Sequence, residues 1–226
     1  MLQCLGMEKD QKRLIIVDGN AVIHRAYHAI PPLTTKEGLV VNAVYGFATT
    51  LLKVLSEFKP EYMAVTFDMA GGTFRDALYK EYKAKRVKAD QELYDQIPLI
   101  HDLVAAFGIE IFEQVGFEAD DVIGSITCLV KGDKNLETII LSGDMDLLQL
   151  VEDNVKVCTF KKGLSEFTLM DPAAVQEKYG FGPKQVVDYK GLRGDTSDNI
   201  PGVPGIGEVT ATSLIKQFGS LDNIYK

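Results

Sequence analysis

Apolar, strand-like runs that finish on acidic residues constrain this chain more than any other feature of its sequence. RLIIV (13–17) leads into Asp18, YMAVTF (62–67) into Asp68, and TIIL (138–141) into the turn that carries Asp144 and Asp146. Glu118, Asp120, Asp121, Asp195 and Asp198 complete a set of nine acids. Residues this far apart meet only if the fold gathers the carboxyl ends of several strands along one rim. If they do meet, their mutual repulsion raises one another's pKa and opposes ionisation. Bound divalent metal is the common way a protein keeps such a cluster charged.

The rest of the chain supplies the elements such a fold needs. Asn42 to Phe58 has Val44, Phe47, Leu51, Leu52 and Leu55 at helical spacing, and a mostly helical stretch is expected from about Thr73 to Phe107, closed by Gly108. Ile109 to Phe112 reads as a short strand and Glu118 to Lys131 as a helix that opens on acids, where the dipole favours negative charge. Asn154 to Phe160 reads as a further strand. Strands alternating with helices predict an α/β fold with a mainly parallel sheet, whose sites lie beyond the carboxyl ends of the strands. From about Asp171 only helices are expected: Pro172 to Tyr179, Pro183 to Arg193, and Glu208 to Phe218, stopped by Gly219. The division is therefore 1–170 for the α/β part and 171–226 for the helical part.

At 226 residues the chain can bury a real core, and its 46% apolar and 25% charged residues are those of an ordinary globular protein. No apolar run approaches the length of a membrane span, and the start has no signal-peptide pattern, so a cytoplasmic protein without membrane contact is expected. Met7 competes with Met1 as the true start. Cys4, Cys128 and Cys158 are too few and too widely spaced for a disulfide framework or a zinc site. His24 and His28 share a helix face without an acidic third ligand and read as surface or packing residues.

The net charge of −8 comes from 24 basic against 32 acidic residues. With the nine clustered acids set aside, 23 acids face the 24 basic residues, so the acidity is local. Phe74 to Lys88 carries Arg75, Lys80, Lys83, Lys85, Arg86 and Lys88, interleaved with Phe74, Tyr79 and Tyr82. That combination suits phosphate neutralisation and base stacking; a solvated helix with ion pairs explains the composition equally well. The glycine-rich turn 202–207 lies between helices, without a strand before it or a Gly-Lys-Ser/Thr signature, so it is not a nucleotide-binding loop. Gly202, Gly205 and Gly207 instead allow close backbone approach, either to a nucleic-acid phosphate at the start of the last helix or simply within a tight turn.

Six blocks, VDGN (17–20), FD (67–68), FRDALYKEYKAKR (74–86), FEADDVIG (117–124), SGDMDLLQLV (142–151) and GLRGDTSDNIPGVPGIGEVTA (191–211), resemble in order the 5′ nuclease domain of bacterial DNA polymerase I and the stand-alone 5′-3′ exonucleases and flap endonucleases. The resemblance implies a PIN-like α/β domain with a helical arch at about 71–97 and a helix-three-turn-helix element. It implies that Asp18, Asp68, Glu118, Asp120 and Asp144 hold or surround one metal, with Asp146, Asp195 and Asp198 toward a second. Asp121 also belongs to the set, although it points about 100° away from Asp120 on a helix. The metals implied are two Mg²⁺ or Mn²⁺ ions, with K⁺ at the glycine turn.

Tyr82, Lys83 and Arg86 match the arch residues that face substrate: the two cations for the scissile phosphate, Tyr82 for an unpaired base. Arg75, Lys80 and Lys85, with Gly202, Gly205 and Gly207, would contact DNA. The implied protein is a monomeric bacterial nuclease of replication and repair acting on flapped, nicked or branched duplex. It would be truncated at Lys226, with a polymerase domain following in the native chain. A PIN-like ribonuclease and a non-catalytic DNA-binding module are the competing readings.

Overall fold

The computed structural model describes residues 11–164 and 166–226; Cys4 and the two candidate start residues lie outside them. The chain runs β1 (Lys12–Asp18), α1 (Gly19–Ala29), α2 (Asn42–Phe58), β2 (Tyr62–Thr66), α3 (Phe74–Leu78), α4 (Gln91–Tyr94), α5 (Ile97–Ala106), β3 (Glu110–Phe112), α6 (Ala119–Val130) and β4 (Leu136–Leu141). A 3₁₀ turn (Asp146–Leu150) leads to β5 (Val155–Lys162) and β6 (Glu166–Met170). Then come α7 (Pro172–Tyr179), α8 (Val186–Arg193), the two-residue strands β7 (Gly194–Asp195) and β8 (Ile200–Pro201), α9 (Glu208–Phe218) and α10 (Leu221–Ile224).

The main sheet has the order β3-β2-β1-β4-β5-β6, parallel except for the antiparallel pairing of β6 with β5. Central β1 is buried on both faces, and its side chains alternate between two cores. Leu14 and Ile16 pack with Ile123 of α6 and with Val175, Tyr189, Leu192, Ala211 and Ile215 of the C-terminal helices. Ile15 and Val17 pack with Val22, Phe47, Leu51, Ile100 and Val104 of α1, α2 and α5. The helical C-terminal segment thus shares one core with the sheet and is docked against it. From β1 the chain builds outward on one side through β2 and β3, then crosses back to build through β4 and β5. The gap between the carboxyl ends of β1 and β4 is therefore the switch point where open sheets of this kind bind ligands.

Three expectations need correction. The stretch from Thr73 to Phe107 is not one helix. Helix α3 stops at Leu78, turns occupy 80–85, and helix resumes at Gln91. Local composition favours helix here, but contacts to Glu118, Asp198 and Asn199 outweigh that propensity. Strand β6 and the β7–β8 hairpin, the latter within a segment expected to be only helical, are additional elements. Helix α1, expected only through the shared face of His24 and His28 and without bounds, is set by Asp18, whose Oδ1 accepts from the Ala21 N–H at 2.9 Å as its N-cap.

Candidate metal centre

The switch point is closed by one hydrogen bond. The Ser142 hydroxyl, at the end of β4, donates to Asp18 Oδ2 at 2.6 Å, and the Asp144 N–H donates to Ser142 Oγ at 2.9 Å. Asn20 fixes the end of β2, its Oδ1 accepting from the Asp68 N–H at 3.1 Å. Asp68 Oδ1 in turn accepts from the Ala119 N–H at 2.6 Å, which brings the amino end of α6 to the same place. Asp18, Asp68, Glu118, Asp120 and Asp144 consequently line one pocket of 390 Å³, with His24, Lys83 and Arg86 at its wall.

Burial and crowding make this cluster electrostatically costly. Burial, with the Asp68 and Asp144 charges, pushes the Asp18 carboxyl up to about 6 against the hydrogen bonds from Ala21 and Ser142. Burial, followed by Asp18, Asp144, Asp68 and Glu118, pushes Asp120 up to about 8. Asp121 behaves oppositely. The Arg75 guanidinium grips it in a bidentate pair at 2.6 and 2.8 Å and holds its carboxyl below the usual range. Asp121 also accepts from the Glu118 N–H at 3.0 Å, so it orders the start of α6.

A second group lies next to the first. Lys190 of α8 reaches Asp195 Oδ2 at 2.7 Å and Asp146 Oδ1 at 2.5 Å. Burial acts upward on Asp195, yet its bonds from Lys190 and Ser197 prevail and hold it far below the ordinary range. Burial keeps Asp146 above its ordinary value despite Lys190. Asp198 accepts from the Tyr82 hydroxyl at 3.1 Å and sits 3.4 Å from Arg86. A pocket of 490 Å³ connects Asp146 and Asp198 with Glu118, Asp120 and Asp121, and a neighbouring one of 600 Å³ places Asp195 beside Asp144 and Asp146.

Among the described residues, no three His, Cys, Asp or Glu side chains already form a metal cage. Protein cations are drawn in where the acids converge: Lys83 Nζ on Glu118 Oε1 at 2.8 Å, Arg86 on Asp198, and Lys190 between Asp146 and Asp195. The donors are all carboxylate oxygens, and Asp18 and Asp120 resist ionising beside one another. A hard divalent cation fits that donor set.

The basic residues divide. Lys83 and Arg86 reach the acids. Tyr82 is buried, at 7% exposure, and its hydroxyl lies 3.0 Å from Glu118 Oε2 and 3.1 Å from Asp198 Oδ2, its single proton shared between the two carboxylates, so its ring has no open face for a base. Arg75 is taken up by Asp121, while Lys80 and Lys85 are exposed. Gly202 packs against the chain itself: a Cβ there would meet the carbonyl carbon of Arg193 at 2.3 Å and the nitrogen of Gly194 at 2.5 Å. Gly205, at φ 83°, and Gly207, the N-cap of α9, are exposed. Ser142, Asn20 and Lys190 were not singled out from the sequence, and His24, expected to be a surface or packing residue, lies at the wall of the acid pocket. Ser142 and Asn20 had a signal, since each lies within two residues of a strand-end acid; Lys190 had none.

Residues 13–180 match the family described as 5′-3′ exonuclease, N-terminal resolvase-like domain, and residues 181–226 match 5′-3′ exonuclease, C-terminal SAM fold. DNA polymerase I of Bacillus subtilis is 45% identical over 215 residues, which are 95% of this chain and 24% of that protein. DNA polymerase I of Chloroflexus aurantiacus is 48% identical over 214 residues, 92% of this chain and 22% of that protein. The chain thus spans about a quarter of the length of these relatives. Among solved structures, a bacteriophage T5 flap endonuclease in a pseudo-enzyme-product complex with DNA and metal ions shares the fold. Its TM-score is 0.77 at 22% identity, covering 94% of this chain and 78% of that one.

Proposed function

The chain belongs to the 5′-3′ exonuclease and flap endonuclease family, and from that membership we propose a structure-selective nuclease, dependent on divalent metal, that hydrolyses DNA near 5′ ends, flaps and nicks. The observation that carries the proposal is the convergence of Asp18, Asp68, Glu118, Asp120 and Asp144 at the β1–β4 switch point, with two of them pushed above the ordinary carboxyl range. These five hold one ion, and Asp146, Asp195 and Asp198 lie toward a second; Asp121 acts from behind, through Arg75 and the amino end of α6. The ions are Mg²⁺ or Mn²⁺, and when bound they supply an activated water and stabilise charge on a phosphodiester.

The protein's own groups do the rest. Lys83 and Arg86 set positive charge at the rim of the acid pocket, where an anionic phosphate needs partners. Tyr82 ties Glu118 to Asp198 and so joins the acids of the α/β part to those of the helical segment. Lys80 and Lys85 offer sequence-independent phosphate contacts. Gly205 and Gly207 leave the amino end of α9 open to a duplex phosphate, with K⁺ as a companion ion. The metal and DNA in the T5 structure support this reading, as does the name of the bacterial relatives, from which we take a polymerase module in the same chain as the working partner.

Incubation of a labelled 5′-flap duplex with and without Mg²⁺ tests the function. Cleavage near the junction, only with Mg²⁺ and leaving 3′-hydroxyl and 5′-phosphate ends, is expected. Binding without cleavage would overturn the enzyme reading, and preferential cutting of single-stranded RNA would turn it toward a ribonuclease.

A further inference from the structure

Segment 79–86 does not pass freely over the acids. It is pinned to two consecutive residues of the helical segment, Asp198 and Asn199. The Asn199 side-chain amide donates to the Glu81 carbonyl at 2.7 Å, and the Asn199 carbonyl accepts from the Tyr79 hydroxyl at 3.4 Å. The Asp198 carbonyl accepts from the Lys83 N–H at 2.9 Å. Of the three non-glycine residues with positive φ among the described residues, two face each other here: Lys83 at 52° and Asn199 at 57°.

A lysine persists in the left-handed region only where its surroundings over-determine it. The bonds that reach this turn's main chain from outside the segment come from 198 and 199; Glu118 engages only the Tyr82 and Lys83 side chains. Asparagine suits its own position twice over, because it tolerates left-handed backbone and carries the amide that reaches Glu81. Asn199 also precedes β8, whose Pro201 leads into the glycine turn before α9. The contact therefore joins the element that carries Lys83 to the one that presents α9.

We propose that Asn199 is a positioning residue, which clamps segment 79–86 to the helical segment and so holds Lys83 over Glu118. Its consequence for cleavage rests on the nuclease reading above. The clamp itself does not.

Asn199→Gly in the full chain removes the side-chain amide without straining the left-handed backbone. Two measurements decide. Without metal or DNA, hydrogen exchange at the Lys83 amide should quicken about tenfold, the worth of one net hydrogen bond, while β1 and β4 exchange as before. With Mg²⁺ and a 5′-flap duplex, the single-turnover rate should fall by about the same factor, with duplex Kd unchanged.

Unaltered exchange would overturn the clamp. Faster exchange with an unaltered rate, or a loss of affinity that accounts for the whole loss of rate, would overturn the positioning role. If the parent chain cuts no flap DNA, the nuclease reading falls and exchange alone still decides the clamp. If Asn199→Gly disturbs the fold, Asn199→Asp, of the same shape but without the donor, should show the same exchange change, and its absence there would equally overturn the clamp.

Discussion

Neighbours decide what a carboxylate can do, and Asp120 and Asp121 show it one residue apart. Asp120 points among other acids and is pushed up to about 8, whereas Asp121 points at Arg75 and is held down. Arg75→Ala should therefore act on stability rather than on DNA. The half-exposed bidentate pair is worth about 1–2 kcal/mol, read as a lower denaturant midpoint, with an unaltered salt slope for duplex binding. Lys80→Ala should do the reverse and reduce that slope by about 0.9. A reduced slope for Arg75→Ala would return Arg75 to the DNA contacts expected from the sequence. Asp146→Asn should abolish cleavage, by at least ~100-fold, with duplex binding retained because Lys190 keeps its bond to Asp195. Cleavage at near the parent rate would remove Asp146 from the metal set. Asp18, Asp68, Asp144 and Asp146 were legible because strand ends mark them, whereas Glu118, Asp120 and Asp121 open a helix and Asp195 and Asp198 lie between helices. The pairing of Arg75 with a residue 46 positions away was not, since nothing local in the sequence encodes it.

Among elements, what could be read depended on whether local pattern or long-range contact decided the outcome. Buried strands β1, β2 and β4 and helices α2, α6 and α9 carry their own periodicity and caps, and they fall close to where the pattern puts them. Strand β6 carries only a short polar–apolar alternation, Glu166 to Leu169, and is held by its pairing with β5. Segment 79–86 has helical composition but bonds to Asp198 and Asn199 instead. The glycine turn mixes both kinds of cause. Gly202 is required by the approach of β8 to the Arg193–Gly194 backbone, while Gly207 meets nothing within 4 Å. Gly202→Ala should consequently destabilise the chain by about 1–3 kcal/mol, measured by chemical denaturation. Gly207→Ala should leave stability within about 0.5 kcal/mol and weaken duplex binding. Equal stability losses at the two positions would mean that close packing does not distinguish them.

At the scale of the whole molecule, one shared core holds the helical segment against the sheet, and the fold thereby concentrates acids from both parts. That concentration sets a pH dependence whose sign follows from proton binding. Asp18 and Asp120 have folded values of about 6 and about 8 against an ordinary 3.8. Between about pH 4 and about pH 8 the folded chain holds protons that the unfolded chain has released, so metal-free stability falls as pH rises. Asp18 alone accounts for roughly 3 kcal/mol of that slope as an upper figure. Asp121 and Asp195 are depressed and work the other way, but their contribution is complete above about pH 4 and is lost only in acid. The metal-free Tm should therefore decline from about pH 5 to about pH 8. Added Mg²⁺ should raise it more at the higher pH, because ions bind the ionised cluster and stabilise the folded chain by mass action. A metal-free Tm that stayed level or rose over that range, or a Mg²⁺ effect independent of pH, would mean that the carboxylates do not crowd one another as their convergence at the switch point requires.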